Sequence, residues 1–414
     1  MGKSSNNANG ESLPPLFAKR TGEGRGGGLR IALLYNLASH APPLLGDAPP
    51  DALDELDHEE NVESYAAALR AAGHEVFPME GDLSLPAKLR RLRIDIAFNT
   101  CEGFRGDARE AQVPALLEMI GLPYTAARVT GSTLTLDKAM TKRVLAFHGL
   151  PTPRFQEFVT ADDPLDPTLR FPLFVKPNRE GSGMGISVKS IVRDEGELRE
   201  RVAQAIRNYR ESALVEEYVP GRDLTCGLVG NLDPAAANAP IPIEAMQAEN
   251  SPGVDYAGVH LFPISEVDYS VYPGGTETIY SNEIKVALAD DYRCLCPAPL
   301  PDSIAAEIRR LTVETFRRTQ SLDVCRVDFR LDRSGQPHIL EINTLPGMTP
   351  VSDLTRCALA DGWSHADLIS AVLSAAVARN EVRARKPIRH TENRFTAKTA
   401  ESAEQVEFSP RAPR

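Results

Sequence analysis

Apolar and polar residues follow two different periods along the first third of the chain. The run LRIALLY at 29–35 is almost wholly apolar, which is typical of a buried strand. Between 59 and 72, apolar residues instead recur at helical spacing: Val62, Tyr65, Ala66 and Leu69. Gly73 then stands where a helix commonly ends. The runs EVFPM, IDIAFN and LPYT predict further strands, and this alternation predicts a parallel α/β sheet over 29–130.

The pattern changes after this segment and predicts two α+β units. The first, over 131–225, has a helix (DKAMTKRVLAFHG), a strand (FPLFVKP), a glycine-rich loop, a strand (GISVKS), a helix near 194–209 and a strand (ALVEEYV). The second, over 226–378, has more strands and two closing helices. It is interrupted at 247–282 by a stretch rich in Pro, Gly and Tyr without periodicity, which is typical of a functional or mobile loop.

Both ends of the chain lack apolar periodicity, and we expect 1–28 and 379–414 to be disordered tails. Of the net charge of -11, the first 30 residues contribute +3 and residues 379–414 contribute +4, which leaves -18 for the body of the chain. An acidic body repels nucleic acid, so we expect no nucleic-acid partner. No apolar run is long enough to cross a membrane, no secretory signal is visible, and the six cysteines are scattered. A cytoplasmic protein with reduced thiols is expected.

A glycine-rich loop at 176–188, KPNREGSGMGISV, is the first candidate for chemistry. A strand delivers Lys176, and Gly181, Gly183 and Gly185 allow main-chain N–H groups to approach phosphate oxygens closely. The pattern predicts that a strand follows, which makes the loop neither a Walker A loop nor a dinucleotide fingerprint. The alternative interpretation is a plain glycine-rich hairpin.

A predicted hairpin at 325–349, CRVDFRLDRSGQPHILEINTLPGMT, is the second candidate. If DRSG is the turn and Leu331 pairs with Gln336, Val327 pairs with Leu340 on a mainly apolar face. The other face then carries four polar side chains: Arg326, Asp328, Glu341 and Asn343. Two carboxylates and a carboxamide oxygen suit Mg²⁺, and the arginine beside them suits an oxyanion. The alternative is a solvated polar face.

A third motif, LVEEYVPGRDL at 214–224, ends a predicted buried strand with Glu216 and places Asp223 after a turn. Together these acceptors could take an adenine amino group and a ribose hydroxyl. Alone, the segment would be interpreted as an exposed turn.

The three motifs, in this order and together with Lys138, resemble the ATP-grasp superfamily, and within it the D-alanine-D-alanine ligases. The pattern of that family is similar to segments across most of 95–372: GLPYT, LDK, VKPNREGS, LVEEYVPGRDLT, NEIK, CPAPL and RVDF through LEINTLPGMT. The resemblance implies an ATP-grasp fold of the α/β and α+β class. In it, an N-terminal parallel-sheet domain precedes two α+β lobes that enclose ATP.

The resemblance also implies which residues hold ATP and its metal ions. The implied partners are phosphates for Lys138, Lys176, Gly181 and Gly183, adenine and ribose for Glu216 and Asp223, and two Mg²⁺ (or Mn²⁺) for Asp328, Glu341 and Asn343. Further residues are implied at the reacting groups: Lys285 at the transferred phosphate, Arg326 at the acyl oxygens, Gly347 with its N–H at the tetrahedral centre, and Ser182, Ser352 and Glu102 near the substrates.

Three segments depart from the family pattern. The family's N-terminal acidic motif, which orients the first amine, is absent, and Glu55, Asp57 and Glu59 are equally open as its replacement. The His-Gly-x-x-Gly-Glu-Asp-Gly segment is replaced by NTCEGFRGDARE, where Glu102 and Arg105 are expected to face the substrate cleft after a strand end. Val286 stands where many members have a tyrosine.

The residues and the resemblance together predict an ATP- and Mg²⁺-dependent ligase that joins a carboxylate to an amine through an acyl phosphate. Its substrates are expected to be two amino acids or close analogues, D-alanine being the most familiar. Two alternatives stay open, a ligase for another amino acid or specialised metabolite and an ATP-binding protein without catalysis. A homodimer also stays open.

Overall fold

A computed structural model describes residues 28–43, 49–248, 252–271 and 294–382. The predicted tails lie outside these residues except at their inner ends, and Arg379 was placed wrongly in a tail. It ends the last helix, and its guanidinium lies 2.7 Å from the fully buried carboxylate of Asp323.

The N-terminal segment forms a three-stranded parallel sheet, as predicted. Its strands, in spatial order, are β2 (Glu75–Glu80), β1 (Arg30–Tyr35) and β3 (Ile96–Asn99). Its helices are α1 (Glu59–Ala71), α2 (Leu85–Arg91) and α3 (Gln112–Ile120). Residues from alternate positions of β1 enter cores on opposite faces of the sheet, because successive side chains of a strand point to opposite sides.

The prediction of a strand at LPYT was wrong. Only Tyr124 pairs with the sheet, through a single bridge to Ala97. Ala126 has a φ of 71°, which turns the chain away towards α4 (Val129–Leu136).

The central segment contains a four-stranded antiparallel sheet. In spatial order its strands are β4 (Phe155–Phe158), β7 (Ala213–Glu217), β5 (Leu173–Pro177) and β6 (Ile191–Val192). Two helices accompany it, α5 (Lys138–Phe147) and α6 (Glu195–Tyr209), and the aspartate side chain before each one caps its first turn. The predicted strand GISVKS is absent here. Ser187 caps a short 3₁₀ turn at Val188–Ser190, and this turn takes the place of strand pairing.

The C-terminal segment contains a seven-stranded sheet built on the long strand β8 (Gly221–Gly230). The remaining strands are β9 (Val254–Tyr256), β10 (Val259–Leu261), β11 (Ser265–Val267), β12 (Cys294–Leu295), β13 (Asp323–Asp332) and β14 (Pro337–Asn343). Among the described residues of this segment, the α-helices are α7 (Asp302–Arg318), α8 (Asp353–Ala360) and α9 (His365–Arg379).

Two sequence expectations differ from this sheet. The stretch at 247–282 was expected to be a loop without periodicity, yet three short strands form in its described part. Two of them, β10 and β11, pair with β8, and β9 pairs with β10. The domain boundary expected at 225 falls inside β8, and the division into three domains stays a prediction. Among the described residues, no helix is both long and apolar enough to span a bilayer.

Candidate active site

Two neighbouring cavities, of about 160 and 140 Å³, lie where the central and C-terminal sheets face each other. Five predicted residues line both cavities: Lys138, Gly181, Ser182, Arg326 and Glu341. The larger cavity adds Lys176, Gly183, Glu216, Asp223 and Asp328. The smaller one adds Glu102, Asn343 and Gly347. Residues separated by more than 200 positions in the chain therefore meet in one cleft.

A buried ion-pair triad of Glu216, Lys142 and Lys176 adjoins the larger cavity, which Glu216 and Lys176 line. The two carboxylate oxygens of Glu216 each meet one ammonium group, Lys142 Nζ at 2.8 Å and Lys176 Nζ at 3.0 Å. Burial alone would raise the pKa of the Glu216 carboxyl, but Lys142 and then Lys176 outweigh it and hold this pKa below its usual value. Burial lowers the pKa of the Lys142 ammonium to about 8, against the opposing attraction of Glu216.

Lys142 was missed by the sequence analysis. It lies one helical turn after Lys138 on α5, and its ammonium also donates to the Thr152 hydroxyl at 2.8 Å. The motif LDK draws attention to the first lysine only. Two lysines four residues apart on a helix that follows a cap are the signal that would have found it, since positions i and i+4 share a helix face.

The glycine loop closes over the cleft as an irregular turn. Gly183 and Gly185 have φ of 78° and 68°, a region that glycine adopts without strain, and Ser182 has a φ of 50°. Lys138 Nζ donates to the carbonyl oxygen of Glu180 at 2.5 Å and lies 3.6 Å from Glu341. The lysine thus joins the loop to the hairpin carboxylates.

The hairpin β13–β14 brings its four polar residues onto one face, as predicted, but in a different register. Arg326 pairs with Asn343 and Asp328 with Glu341, while Leu331 pairs with Pro337. The register shift after Asp328 is a β-bulge. The turn is also longer than expected. The Asp332 carboxylate, at the end of β13, accepts the N–H groups of Ser334 and Gln336, and these hydrogen bonds stabilise the longer turn.

The donor set of this hairpin is suited to a divalent cation. Asp328 accepts hydrogen bonds from Thr225 Oγ1 at 2.7 Å and from Arg326, and Asn343 Nδ2 donates to it at 3.1 Å. The Asn343 amide nitrogen is thereby engaged, so its oxygen is the atom left as a ligand. Carboxylate and amide oxygens are the ligands of Mg²⁺. Among the described residues no group of three His, Cys, Asp or Glu forms a metal site, and this set instead combines two carboxylates with one carboxamide.

Asp223, expected at the ribose, is held by two partners at the edge of the larger cavity. Arg330 Nη1 and the Tyr269 hydroxyl both donate to Asp223 Oδ2. Arg330 also donates to the carbonyl oxygen of Val219 at 2.9 Å. The sequence analysis missed Arg330, although it is one of the residues of RVDFR.

Three glutamates form an acidic wall around the smaller cavity: Glu55, Glu102 and Glu110. Burial, then Glu55, raises the pKa of Glu110 to about 7, and burial followed by Glu110 and Glu55 raises that of Glu102 well above its usual value. Arg109 lies behind the wall, and its guanidinium meets Glu55 at 2.5 Å and Glu180 at 3.0 Å. The sequence analysis missed Glu110 and Arg109.

The open choice among three N-terminal acids is narrowed by these positions. Glu55 lines the cavity, whereas the Asp57 carboxylate accepts the Thr100 hydroxyl at 3.0 Å and Glu59 accepts that of Ser39.

Ser352, Lys285 and Val286 complete the comparison of sequence and structure. Ser352 bonds through Oγ to the N–H of Thr349 at 3.0 Å, and a Cβ placed on Gly347 would lie 3.1 Å from this oxygen, so the two residues adjoin. Lys285 and Val286 lie outside the described residues.

Comparison with known proteins adds independent findings. A family model described as D-ala D-ala ligase C-terminus matches residues 144–248 and 261–374. An uncharacterized protein of Sinorhizobium fredii, y4sG, is 34% identical over 324 residues, which is 76% of this chain and 87% of that protein. The D-alanine-D-alanine ligase of Cupriavidus metallidurans is 34% identical over 75% of this chain and 84% of its own length.

A solved structure supports the likeness at the level of the fold. The D-alanine-D-alanine ligase from Bacillus anthracis complexed with ATP matches with a TM-score of 0.60 and 20% sequence identity, over 86% of this chain and 99% of that one.

Proposed function

Since the chain belongs to the D-alanine-D-alanine ligase family, we propose that it joins two small amino acids, with D-alanyl-D-alanine synthesis for peptidoglycan as the most familiar version. The predicted ATP-grasp fold is confirmed, and the chain is an ATP-dependent ligase that forms ADP. The single observation that carries the proposal is the meeting of Lys138, the glycine loop and the hairpin acids in one cleft beside a second, acidic cavity.

The larger cavity is proposed to hold ATP. Lys138 and Lys176 neutralise its phosphates, and the loop N–H groups donate to the phosphate oxygens. Lys176 is itself supported by Glu216. Adenine and ribose are proposed to lie at the Glu216 and Asp223 end of the cavity.

The hairpin face is proposed to hold two Mg²⁺ ions through Asp328, Glu341 and Asn343. Bound there, Mg²⁺ supplies neutralisation of charge on the phosphate oxygens during phosphoryl transfer. The chain's own residues do the remaining work. Arg326 holds the oxygens of the acyl group, and the enclosed cleft excludes water from the acyl phosphate that forms when the first carboxylate attacks the γ-phosphate.

The smaller cavity is proposed to hold the two amino acids. Glu55 is the acid best placed to accept the first ammonium group, because it lines this cavity close to Gly181, while Asp57 and Glu59 bond elsewhere. The Gly347 N–H is proposed to stabilise the tetrahedral centre during attack by the second amine, which displaces phosphate.

A second candidate is a ligase of the same chemistry for another amino acid or a specialised metabolite. The acidic wall favours it, because Glu102 and Glu110 add two carboxyl groups to the smaller cavity. Arg109 pairs with Glu55 but does not itself line this cavity. We propose a cytoplasmic location for either version, and a homodimer stays a prediction.

Product analysis with pools of D- and L-amino acids tests the proposal. Purified full-length protein with ATP and Mg²⁺ should release ADP and phosphate when a suitable pair is present, and mass spectrometry should detect the dipeptide. AMP with pyrophosphate would refute the mechanism. ATP binding without stimulation by any pair would favour a protein that has lost catalysis.

Glu341→Gln gives the matched test of the hairpin. We expect it to abolish turnover, since one proposed ligand of the cation is neutralised, while Glu200→Gln at an exposed position of α6 should keep full activity. Equal activity of the two variants would contradict the proposed site.

A further inference from the structure

A segment of the N-terminal domain, residues 51–55, reaches across to the glycine loop. The Asp51 carboxylate accepts the N–H of Gly185 at 2.9 Å through one oxygen and the hydroxyl of Tyr209 at 2.7 Å through the other. Gly185 belongs to the glycine loop and Tyr209 ends α6. One side chain thus connects the N-terminal domain to two elements of the central lobe, over sequence separations of 134 and 158 residues.

Gly185 is held on every side at this contact. Its carbonyl oxygen accepts a hydrogen bond from Arg201 while its N–H donates to Asp51. Its φ is 68°, and a Cβ there would lie 2.7 Å from the Pro177 ring and 2.9 Å from the Tyr209 ring. Of these contacts, the hydrogen bond from the Gly185 N–H to Asp51 is the one that ties this end of the loop to the N-terminal domain.

The same segment also meets the beginning of the loop. A Cβ on Gly181 would lie 2.0 Å from Glu55 Oε1, so the carboxylate lies directly against the backbone. Arg109 fixes this carboxylate and donates to the carbonyl oxygen of Arg179 at 2.8 Å. Both ends of the loop 181–185 are therefore covered by residues 51–55.

The segment is itself ordered by backbone hydrogen bonds. The N–H of Asp54 donates to the carbonyl oxygen of Asp51 at 3.1 Å, and that of Ala52 donates to Pro49 at 3.1 Å. These turns fix the backbone from which the Asp51 side chain reaches the central lobe.

We infer that Asp51, with Tyr209, is a positioning residue that holds the glycine loop closed over the ATP phosphates. The loop and its N–H groups then reach their closed position only when the N-terminal segment is docked. Because Glu55 lines the amino-acid cavity, docking links closure over ATP to the side of the cleft where the first substrate lies. The catalytic consequence rests on the proposed function, while the contact itself does not.

Hydrogen exchange measured by mass spectrometry tests the contact without any need for turnover. In the full-length protein, peptides spanning 181–187 should exchange faster in Asp51→Ala than in wild type, by about tenfold or more at Gly185, because a hydrogen bond to a carboxylate is lost. Asp51→Asn should keep most of the protection, since its amide can accept from Gly185 and donate to the tyrosine oxygen. Asp162→Ala, at an exposed aspartate of the central lobe, is the control. Unchanged exchange in Asp51→Ala would overturn the inference.

The ratio of phosphate released to dipeptide formed tests the catalytic role. A loosened loop admits water to the phosphates, so Asp51→Ala should raise both this ratio and the KM for ATP by about tenfold or more. Asp51→Asn should restore both quantities to near the wild-type values. Tyr209→Phe should give values between those of wild type and Asp51→Ala. Faster exchange with an unchanged ratio and KM would reduce Asp51 to a stabilising residue and overturn the positioning role. Absence of product from wild type would instead count against the proposed function, and the exchange result would still decide the contact.

Discussion

The triad of Lys142, Glu216 and Lys176 makes Glu216→Gln the most informative single substitution. The carboxylate is 3% exposed and is the shared partner of two buried ammonium groups. A glutamine of the same shape keeps one acceptor oxygen and turns the other position into a donor facing an ammonium group. The variant thus leaves two buried positive charges without their counter-charge.

The expected cost follows from what each lysine can do. The pKa of Lys142 is lowered by burial to about 8 even with Glu216 present, so without this carboxylate Lys142 can lose its proton at pH 7 for at most about 1.4 kcal/mol, which limits its own share. Burial lowers the pKa of Lys176, but Glu216 together with Glu341 and Asp328 outweighs it and raises this pKa in the wild type, so the variant removes part of what keeps the buried ammonium charged. Breaking a buried pair from one side costs about 3–5 kcal/mol, and we expect a loss of unfolding free energy in this range at pH 7.

The pH dependence provides the sharper test. In the variant the folded-state pKa of Lys142 should fall below 8 while its unfolded value stays at 10.5, so the folded state binds fewer protons than the unfolded state over this interval. Stability then rises with pH, and this rise starts at a lower pH in the variant. The difference between wild type and Glu216→Gln should therefore shrink from pH 6 to pH 8.

Urea unfolding followed by circular dichroism at pH 6, 7 and 8 measures this difference. Glu217→Gln is the matched control, because the neighbouring carboxylate pairs at 2.6 Å with Arg154, which is 55% exposed. Such surface pairs contribute about 0–1 kcal/mol. If the two substitutions cost the same, or if the Glu216 difference does not shrink with pH, the charge structure inferred for the triad is wrong.

Three further outcomes are expected. Burial raises the pKa of Asp57 to about 6, so the folded state holds the extra proton and wild-type stability falls as pH rises from 4 to 6. In thermal melts, Asp57→Asn should lack this fall and should be more stable than wild type at pH 7.5 by up to about 3 kcal/mol. Equal pH slopes of the two proteins would contradict this prediction. Burial lowers the pKa of His260, but the hydrogen bonds that its ring donates to the Asp255 and Asp361 carboxylates, with the charges of these groups, outweigh burial and raise the pKa. The stability from this charge is present below pH 6.5 and is lost as pH rises through the raised value, and thermal melts of His260→Gln from pH 6 to 9 should lack this loss. Asn343→Leu should raise the Mg²⁺ concentration for half-maximal activity by about tenfold or more in a metal titration, and an unchanged titration would remove Asn343 from the metal site.

The β13–β14 hairpin shows that the alternation of side chains predicts which residues share a face but not the strand register. The register expected from the sequence differs from the observed one by two positions beside Arg326 and Asp328, yet the same four polar residues share a face. Side chains alternate with a period of two, so an even shift preserves the face. The bulge after Asp328 and the turn bonds of Asp332 depend on details that alternation does not contain.

The residues that the sequence analysis missed have a common feature. Lys142, Glu110, Arg109 and Arg330 acquire their roles from charged partners 30 or more positions away, and local spacing does not reveal such partners even for Arg330, which lies within the hairpin motif. Asp51 is the extreme case, since a single aspartate in an irregular segment carries no local signal of the loop that it meets.

The amino-acid sequence alone determined the parallel N-terminal sheet, the shared face of the hairpin and the family resemblance, because these depend on periodicity and short-range spacing. Packing of distant segments was needed to show that Glu55, rather than Asp57 or Glu59, lines the smaller cavity and that Asp51 lies against Gly185. The physical reason is that burial and charge pairing are properties of the packed chain: a carboxylate acquires its partner, its pKa and its role only when distant segments exclude water around it.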